Sequence, residues 1–432
     1  MKIIVIGAGL GGLVAAEILG RNGHEVSVLE KCEKENLTYD WHDDISRDIF
    51  TELKLPLPEA KHFFTKGCWT FVTPDEKTEV FVDLPEETRD YSMERRALAH
   101  LYVERAERYA KIQFGTEAEA LLVEQGEVKG VIAGGEKLYA DLVIDNSGVF
   151  SKLRESLPDS YKIEKNPAKN EVFFAYRAFH KRAEGSPDPQ YTNKVYLKHI
   201  GEEGISWCVL DPSGTVNILI GRIGALPKEV FDNAYQKLKQ SNPIISDEVV
   251  RGGGIHAIPV RHPALRLTGK GYALLGDSAF MTIPMMGSGM ANSMIAGTLL
   301  ADAVIKAGNA SPETLWRYQV AYYKKVGYTH TGADLLKRWM LSANARDLDF
   351  LLSKGVISQQ DLQNGASGTD ISLRFGVILN KIKCAFPRIG LLLNLKATID
   401  KSKKAKKDAF AIPETYDLHA IEQWEKKIKS YF

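Results

Sequence analysis

The chain opens on an unbroken apolar run, Lys2–Ile6, with no polar alternation. A parallel strand covered on both faces requires such a run. Residues 7–12 turn the chain, residues 13–22 carry apolar positions at helical spacing, and Gly23 stops them. Glu25–Leu29 reads as a second strand, closing on Glu30. Strand, glycine turn, helix and strand make a βαβ opening. Two later runs, Leu142–Asp145 and residues 272–275, have the same buried character. Between them the pattern predicts a hairpin over 71–85, a charged amphipathic helix over 93–109 and alternating strands over 112–134. From about Glu171 to Arg222 the period drops to two, in VFFAYRAFH, KVYLKH, ISWCVL and VNILIGR. Residues 228–240 read as a helix, and the chain after about Ser311 is mostly helical.

Buried parallel strands separated by insertions predict an α/β chain with a split Rossmann-type nucleotide-binding domain at 1–70, 90–160 and 252–325. The antiparallel stretches, 71–89 and 161–251, form a second domain, and 326–432 form a helical C-terminal region. Composition changes this picture little. The hydrophobic fraction of 44% and charged fraction of 26% are those of a globular protein. A net charge of +1 gives no reason to expect a nucleic-acid partner. Cys32, Cys68, Cys208 and Cys384 form no CxxC pair, so neither a metal site nor a disulfide framework is expected, and a reducing cytoplasm fits. No window offers ~20 uninterrupted apolar residues.

Candidate chemistry sits at both ends of the split domain. GAGLGG places Gly7, Gly9 and Gly12 between a strand and a helix, where a backbone without side chains can approach a pyrophosphate at a helix N-terminus. Glu30 stands where a carboxylate can take ribose hydroxyls, which favours an unphosphorylated ribose. Far downstream, LLGDSAFMTIPMMGSGMANS ends a buried strand on Asp277 and reaches a helix through Pro284, Gly287, Gly289 and Met290.

This second stretch resembles the flavin motif of FAD-dependent oxidoreductases of the p-hydroxybenzoate-hydroxylase superfamily, and most of all the geranylgeranyl reductase group. The resemblance implies FAD as cofactor, with Asp277 on the ribityl chain, Pro284 in the loop, and the backbone of Gly287, Gly289 and Met290 facing the pyrimidine edge. SMERRALAHL resembles the family helix whose arginine, here Arg95, reaches the FAD phosphate and ribityl region. ADLVIDNSGVFSKLR resembles a segment in which Gly148 lets the chain pass close to the flavin. FGTEAE, with Ala118, matches the stretch that takes the adenine. Two departures stand out. Ser147 replaces the aspartate that helps aromatic hydroxylases use NAD(P)H. GISWCVL keeps the glycine and tryptophan of a prenyl-reductase strand and loses its Tyr, Phe and Pro, leaving Trp207 as the substrate-wall candidate.

The loop YDWHDDISRD has two readings. It either touches the ring system and offers His42 as proton donor, or is a polar loop capping a helix at 45–53. Cys208 reads as a buried structural cysteine. Residues 375–407 are apolar but interrupted by lysines, with a run at Lys401, Lys403, Lys404, Lys406 and Lys407. They read equally as an interfacial helix on anionic lipid, which would make the protein peripheral on the inner membrane face, and as a helix capping the core. The implied activity is reduction of carbon–carbon double bonds in an apolar, isoprenoid or lipid-like substrate by hydride from flavin N5. Electrons would come from a low-potential donor such as ferredoxin, or from NAD(P)H. The alternatives are an aromatic monooxygenase or halogenase, and a non-enzymatic lipid-binding protein on the same scaffold.

Overall fold

The structure, a computed structural model, describes residues 1–199, 204–366 and 388–432. The apolar runs read from the sequence are neighbours in one six-stranded sheet. Its order is Thr268–Gly269, Tyr272–Leu274, Leu142–Asp145, Lys2–Ile6, Glu25–Leu29 and Lys111–Gln113, parallel except at the first pair. Helix Leu10–Arg21 packs against helix Met290–Ala307, which joins the two ends of the domain. The contact needs glycine on both sides, because a Cβ on Gly297 would run into the Gly11 carbonyl and one on Gly11 into Ser293.

The period-two stretches form a seven-stranded sheet in the order Ile245–Pro259, Val172–Arg182, Val216–Ile223, Gly204–Leu210, Asn193–Leu197, Cys68–Val72 and Glu79–Asp83. The hairpin expected over 71–85 is its outer pair. One face buries Ala178, Tyr196, Cys208, Ile218 and Ile220 against Ala234 and Leu238 of helix Lys228–Ser241. The other face presents Ala175, Trp207, Leu219 and Ile258 to Trp41 and Tyr39. Two expectations are corrected here. The helix over 93–109 starts only at Arg95, because Tyr91–Glu94 is the middle strand between His42–Ile45 and Phe63–Thr65. Pairing on both edges outweighs helical propensity there. The helix expected from Ile45 is shortened to Asp48–Glu52 for the same reason. Strand Ile245–Pro259 was hidden by its charges and by Gly252 and Gly253, which take φ +81° and +93° where the ladder is irregular.

The C-terminal helices cover the nucleotide-binding lobe. Ile421, Trp424 and Ile428 of helix Leu418–Lys429 share a core with Leu315, Trp316 and Tyr323. Helix Ile389–Phe410 packs on Tyr328–Ser342. Residues 375–387 of the expected interfacial segment lie outside the described residues. Among the described residues no helix is long and apolar enough to cross a membrane, and no cluster of His, Cys, Asp and Glu could hold a metal.

Candidate functional site

The glycine turn is shaped by a residue the sequence reading passed over. A Cβ on Gly7 would stand 2.6 Å from the Asn146 carbonyl oxygen, and Cβ atoms on Gly9 and Gly12 would stand 2.6 and 2.8 Å from Asn146 Nδ2. Asn146 Nδ2 donates to the Gly7 carbonyl at 3.2 Å. The turn therefore nests against the end of the neighbouring strand, and Gly7 takes φ +89° to do so. Glu30 accepts from the Ala8 amide at 2.7 Å and from the Cys32 amide at 2.9 Å. Its carboxylate pins the loop and keeps lone pairs for a ribose. Ala118 is buried two residues beyond Thr116, whose amide donates to the Glu30 carbonyl at 2.8 Å. These residues lie together at one end of the parallel sheet. Gly148 takes φ +100° and faces open space, so a ligand can approach its backbone. Ser147 donates to Asp145 at 2.6 Å and is thereby held within the strand end.

At the other end of the site, residues 283–289 fold into a tight turn. The Ile283 carbonyl accepts from Gly287 at 2.8 Å, Gly287 takes φ +69°, and Pro284 is buried. Gly289 caps helix Met290–Ala307 with no side-chain bond, and the first helical turn holds no acid. Its leading amides are thus free for an electronegative group. Asp277 stands beside this entrance, since a Cβ on Gly289 would lie 3.5 Å from its Oδ1. The Phe280 amide donates to the Asp277 carbonyl at 3.2 Å, but no group among the described residues donates a hydrogen bond to its carboxylate. Burial pushes its carboxyl up to about 6, against the pull of Arg95 and with help from Asp43.

Arg95 donates to Asp43 Oδ2 at 2.6 Å and lies over the Tyr39 ring at 4.5 Å. Burial alone would weaken its hold on the proton, but Asp43, Tyr39 and Asp277 more than compensate and hold it above the usual arginine range. Tyr39 stacks on His256 at 3.6 Å. Ser288 donates to the Asp44 carbonyl at 3.0 Å, which ties the loop after the second strand to the turn at 283–289.

Strand His42–Ile45 separates two neighbours that the sequence reading grouped together. Successive side chains leave a strand on opposite faces. Asp43 turns toward Arg95, while His42 Nε2 meets Glu94 at 2.8 Å, and Glu94 is gripped by Arg251 at 2.8 and 2.9 Å. His42 packs on Phe179 and Phe64 and lines a cavity of about 210 Å³ with His62, Asp211 and Ser213. The structure thus brings Asp43 and Tyr39 to Arg95, and His42 elsewhere. Trp207 lies between Trp41 and Trp69, with ring centroids 6.1 and 6.0 Å away, on the sheet face toward Tyr39. Cys208 points the other way into the helix-covered core, where burial raises its thiol to about 12.

A model of the NAD(P)-binding Rossmann-like domain matches residues 5–34. A digeranylgeranylglycerophospholipid reductase from Sulfolobus acidocaldarius is 24% identical over 423 residues, 94% of this chain and 91% of the relative. The chain is similar to that reductase along nearly its whole length. A geranylgeranyl bacteriochlorophyll reductase-like structure from Thermoplasma acidophilum superposes with a TM-score of 0.73 at 19% identity, covering 91% of this chain and 98% of that one. A flavin-dependent brominase, Bmp2, superposes with a TM-score of 0.62 at 15% identity, covering 90% and 100%. The chain shares its fold with both structures, and it consists of a split Rossmann-type lobe, an antiparallel-sheet lobe and C-terminal helices.

The residues present fit a flavin dinucleotide. The glycine cradle admits no side chain, Glu30 offers a carboxylate at the end of the second strand, Gly148 leaves room, and the Asp277 carboxylate, without a donor among the described residues, stands at an uncapped helix start.

Proposed function

We propose that the protein binds FAD across this site and reduces carbon–carbon double bonds of an apolar isoprenoid or lipid-like substrate. The observation that carries the substrate class is the sheet face opposite the Asp277 turn. It is a wall of Trp41, Trp207, Leu219 and Ile258, continued by Trp69 and Val195, and such a surface suits a hydrocarbon chain. The reductase relative and the higher structural similarity to the geranylgeranyl reductase-like protein support the same reading over a monooxygenase or brominase.

Gly7, Gly9 and Gly12 would admit the pyrophosphate, Glu30 and Ala118 would hold the adenosine half, and Gly148 would let the chain pass the ring. Arg95 and Asp277 would hold the ribityl region, while Pro284, Gly287, Gly289 and Met290 present backbone to the pyrimidine edge. Bound FAD supplies the hydride. The free amides of the helix start stabilise negative charge beside Gly289. Trp207 and Trp41 exclude water and align the chain. His42 secures Glu94 and the cavity it lines, and a proton-donating role for it would have to be exercised toward that cavity.

Ser147, held by Asp145, lacks the carboxylate associated with NAD(P)H use, so we assign the electrons to a low-potential protein donor such as ferredoxin. We also propose peripheral contact with anionic membranes through helix Ile389–Phe410. Its outer face exposes Lys401, Lys403, Lys404 and Lys407, and Ile389 and Leu393 are exposed at its start. Lysines near such a surface contribute roughly 1 kcal/mol each. Cosedimentation with acidic vesicles that disappears in high salt is the expected result, and equal binding to neutral vesicles refutes it.

The central test is anaerobic. Holoprotein reduced with dithionite should be reoxidised by a geranylgeranyl compound, with product two mass units heavier per double bond. Rapid NADPH oxidation coupled to oxygen uptake, with product sixteen units heavier, would establish a monooxygenase instead.

A further inference from the structure

One buried cation on the aromatic wall is not explained by this assignment. Arg177 lies mid-strand in Val172–Arg182, on the face that also carries Ala175 and Phe179, and is only 4% exposed. Its guanidinium lies against the Trp41 ring and 4.8 Å from the centroid of Trp207. Nη2 donates to the His42 carbonyl at 2.8 Å. The nearest carboxylate oxygen, Asp43 Oδ1, is 3.9 Å from Nη1, beyond hydrogen-bond distance. Nε has no partner. An arginine offers five donors, and burying them unpaired is costly.

Asp43 cannot fill the deficit. Its other oxygen is bound to Arg95 at 2.6 Å, so one carboxylate stands between two cations. The neighbouring strand supplies no carboxylate either: the residue in register with Arg177 there is Gly254, and the space beside it is taken by the His256 ring. Burial weakens the Arg177 hold on its proton, with Asp43 only partly offsetting it. An anion beside the guanidinium would relieve all of this.

We propose that Arg177 is an anion subsite on the substrate wall, receiving the phosphate of a prenyl phosphate or of a phosphate-headed prenyl lipid. The proposal rests on the wall being where the substrate lies. It makes the preferred substrate an anionic lipid bound by its head at Arg177 and by its chain along Trp207 and Trp69. A planar guanidinium matches a phosphate with paired donors, and stacking on tryptophan keeps the fork flat.

The test is equilibrium binding to the holoprotein of geranylgeranyl phosphate, a diether lipid with two such chains and a phosphate head, and neutral geranylgeraniol. The wild type should bind one or both phosphates at least tenfold tighter than the alcohol, and which of the two identifies the source of the phosphate. Arg177→Met should abolish that preference while FAD content and the alcohol's affinity stay unchanged. Arg177→Lys should retain part of it, and guards against a variant that fails to fold. Equal binding of phosphates and alcohol by the wild type, or an undiminished preference in Arg177→Met, overturns the subsite. If geranylgeraniol still reoxidises the reduced protein in that case, the reductase reading stands alone. If none of the three binds, both fall.

Discussion

Asp277→Asn should make the FAD-free protein more stable and the holoprotein weaker. The folded protein raises this carboxyl from 3.8 to about 6, chiefly by burial. At roughly 1.4 kcal/mol per tenfold change in proton affinity, ionised Asp277 then costs about 3 kcal/mol of folding free energy. The side chain keeps a partly exposed edge, so water relieves some of this and about 2–3 kcal/mol is expected. The folded-state value lies above the unfolded one. The cost is therefore complete above pH 6, fades as pH falls through 6, and vanishes below 3.8. An amide in the same place carries no such cost. Urea melts of FAD-free protein at pH 8 should show the variant more stable, and at pH 4.5 the two curves should approach each other. FAD titrations should show the reverse. Ribityl hydroxyls donate best to the ionised form, so wild-type affinity should fall as pH drops below 6. The variant should bind ~10- to 100-fold more weakly at pH 8, the worth of a charge-assisted hydrogen bond of ~1.5–3 kcal/mol. A variant less stable than wild type at pH 8 without FAD, or a stability gap that ignores pH, refutes the reasoning.

Gly297→Ala should lower the melting temperature, because its Cβ meets the Gly11 carbonyl and overpacking between backbones costs roughly 1–3 kcal/mol; a melt equal to wild type would mean the helices slide apart freely. Glu94→Gln should destabilise the protein at pH 7. Burial alone would raise the Glu94 carboxyl, but His42 and Arg251 hold it down at about 2. Its contribution is present above the unfolded value of 4.5 and is lost as pH falls toward 2, so denaturation curves of variant and wild type should converge in acid. Trp207→Ala should raise KM for a prenyl substrate several-fold and leave FAD content intact, and a loss of flavin instead would move this residue out of the substrate wall.

What the sequence made legible was whatever rests on local pattern. The runs at Lys2–Ile6 and Leu142–Asp145 had to be covered strands, and Gly7, Gly9 and Gly12 had to be a close approach. Strand Val172–Arg182 and its partners announced themselves by period two. Strand Tyr91–Glu94 did not, because its neighbours, His42–Ile45 and Phe63–Thr65, pair with it only after the chain has folded back. The site divided the same way. Asp277 and Gly289 sit in one contiguous motif, whereas the partners of Arg95 lie about fifty positions away in the loop at 39–43. Had that loop been read as a strand, alternation alone would have set His42 and Asp43 on opposite faces. Asn146 carried a signal that was overlooked, as an amide directly after a buried strand in the segment that returns to the glycine turn.

Asp277 acts on Arg95, Arg95 bonds Asp43, and Asp43 faces Arg177. The four groups come from the flavin turn, the start of the arginine helix, the small three-stranded sheet and the seven-stranded sheet. Each is buried enough that its charge is felt by the next rather than screened by water. Asp43 is the pivot, since any anion that satisfies Arg177 frees it to serve Arg95 more fully, and an Arg95 so neutralised pulls less on Asp277, whose carboxyl Asp43 already helps to raise. Burying such a chain adds little stability by itself. Its physical consequence is that the two lobes cannot be charged independently, so the state of the nucleotide site and the state of the aromatic wall are linked through a single carboxylate.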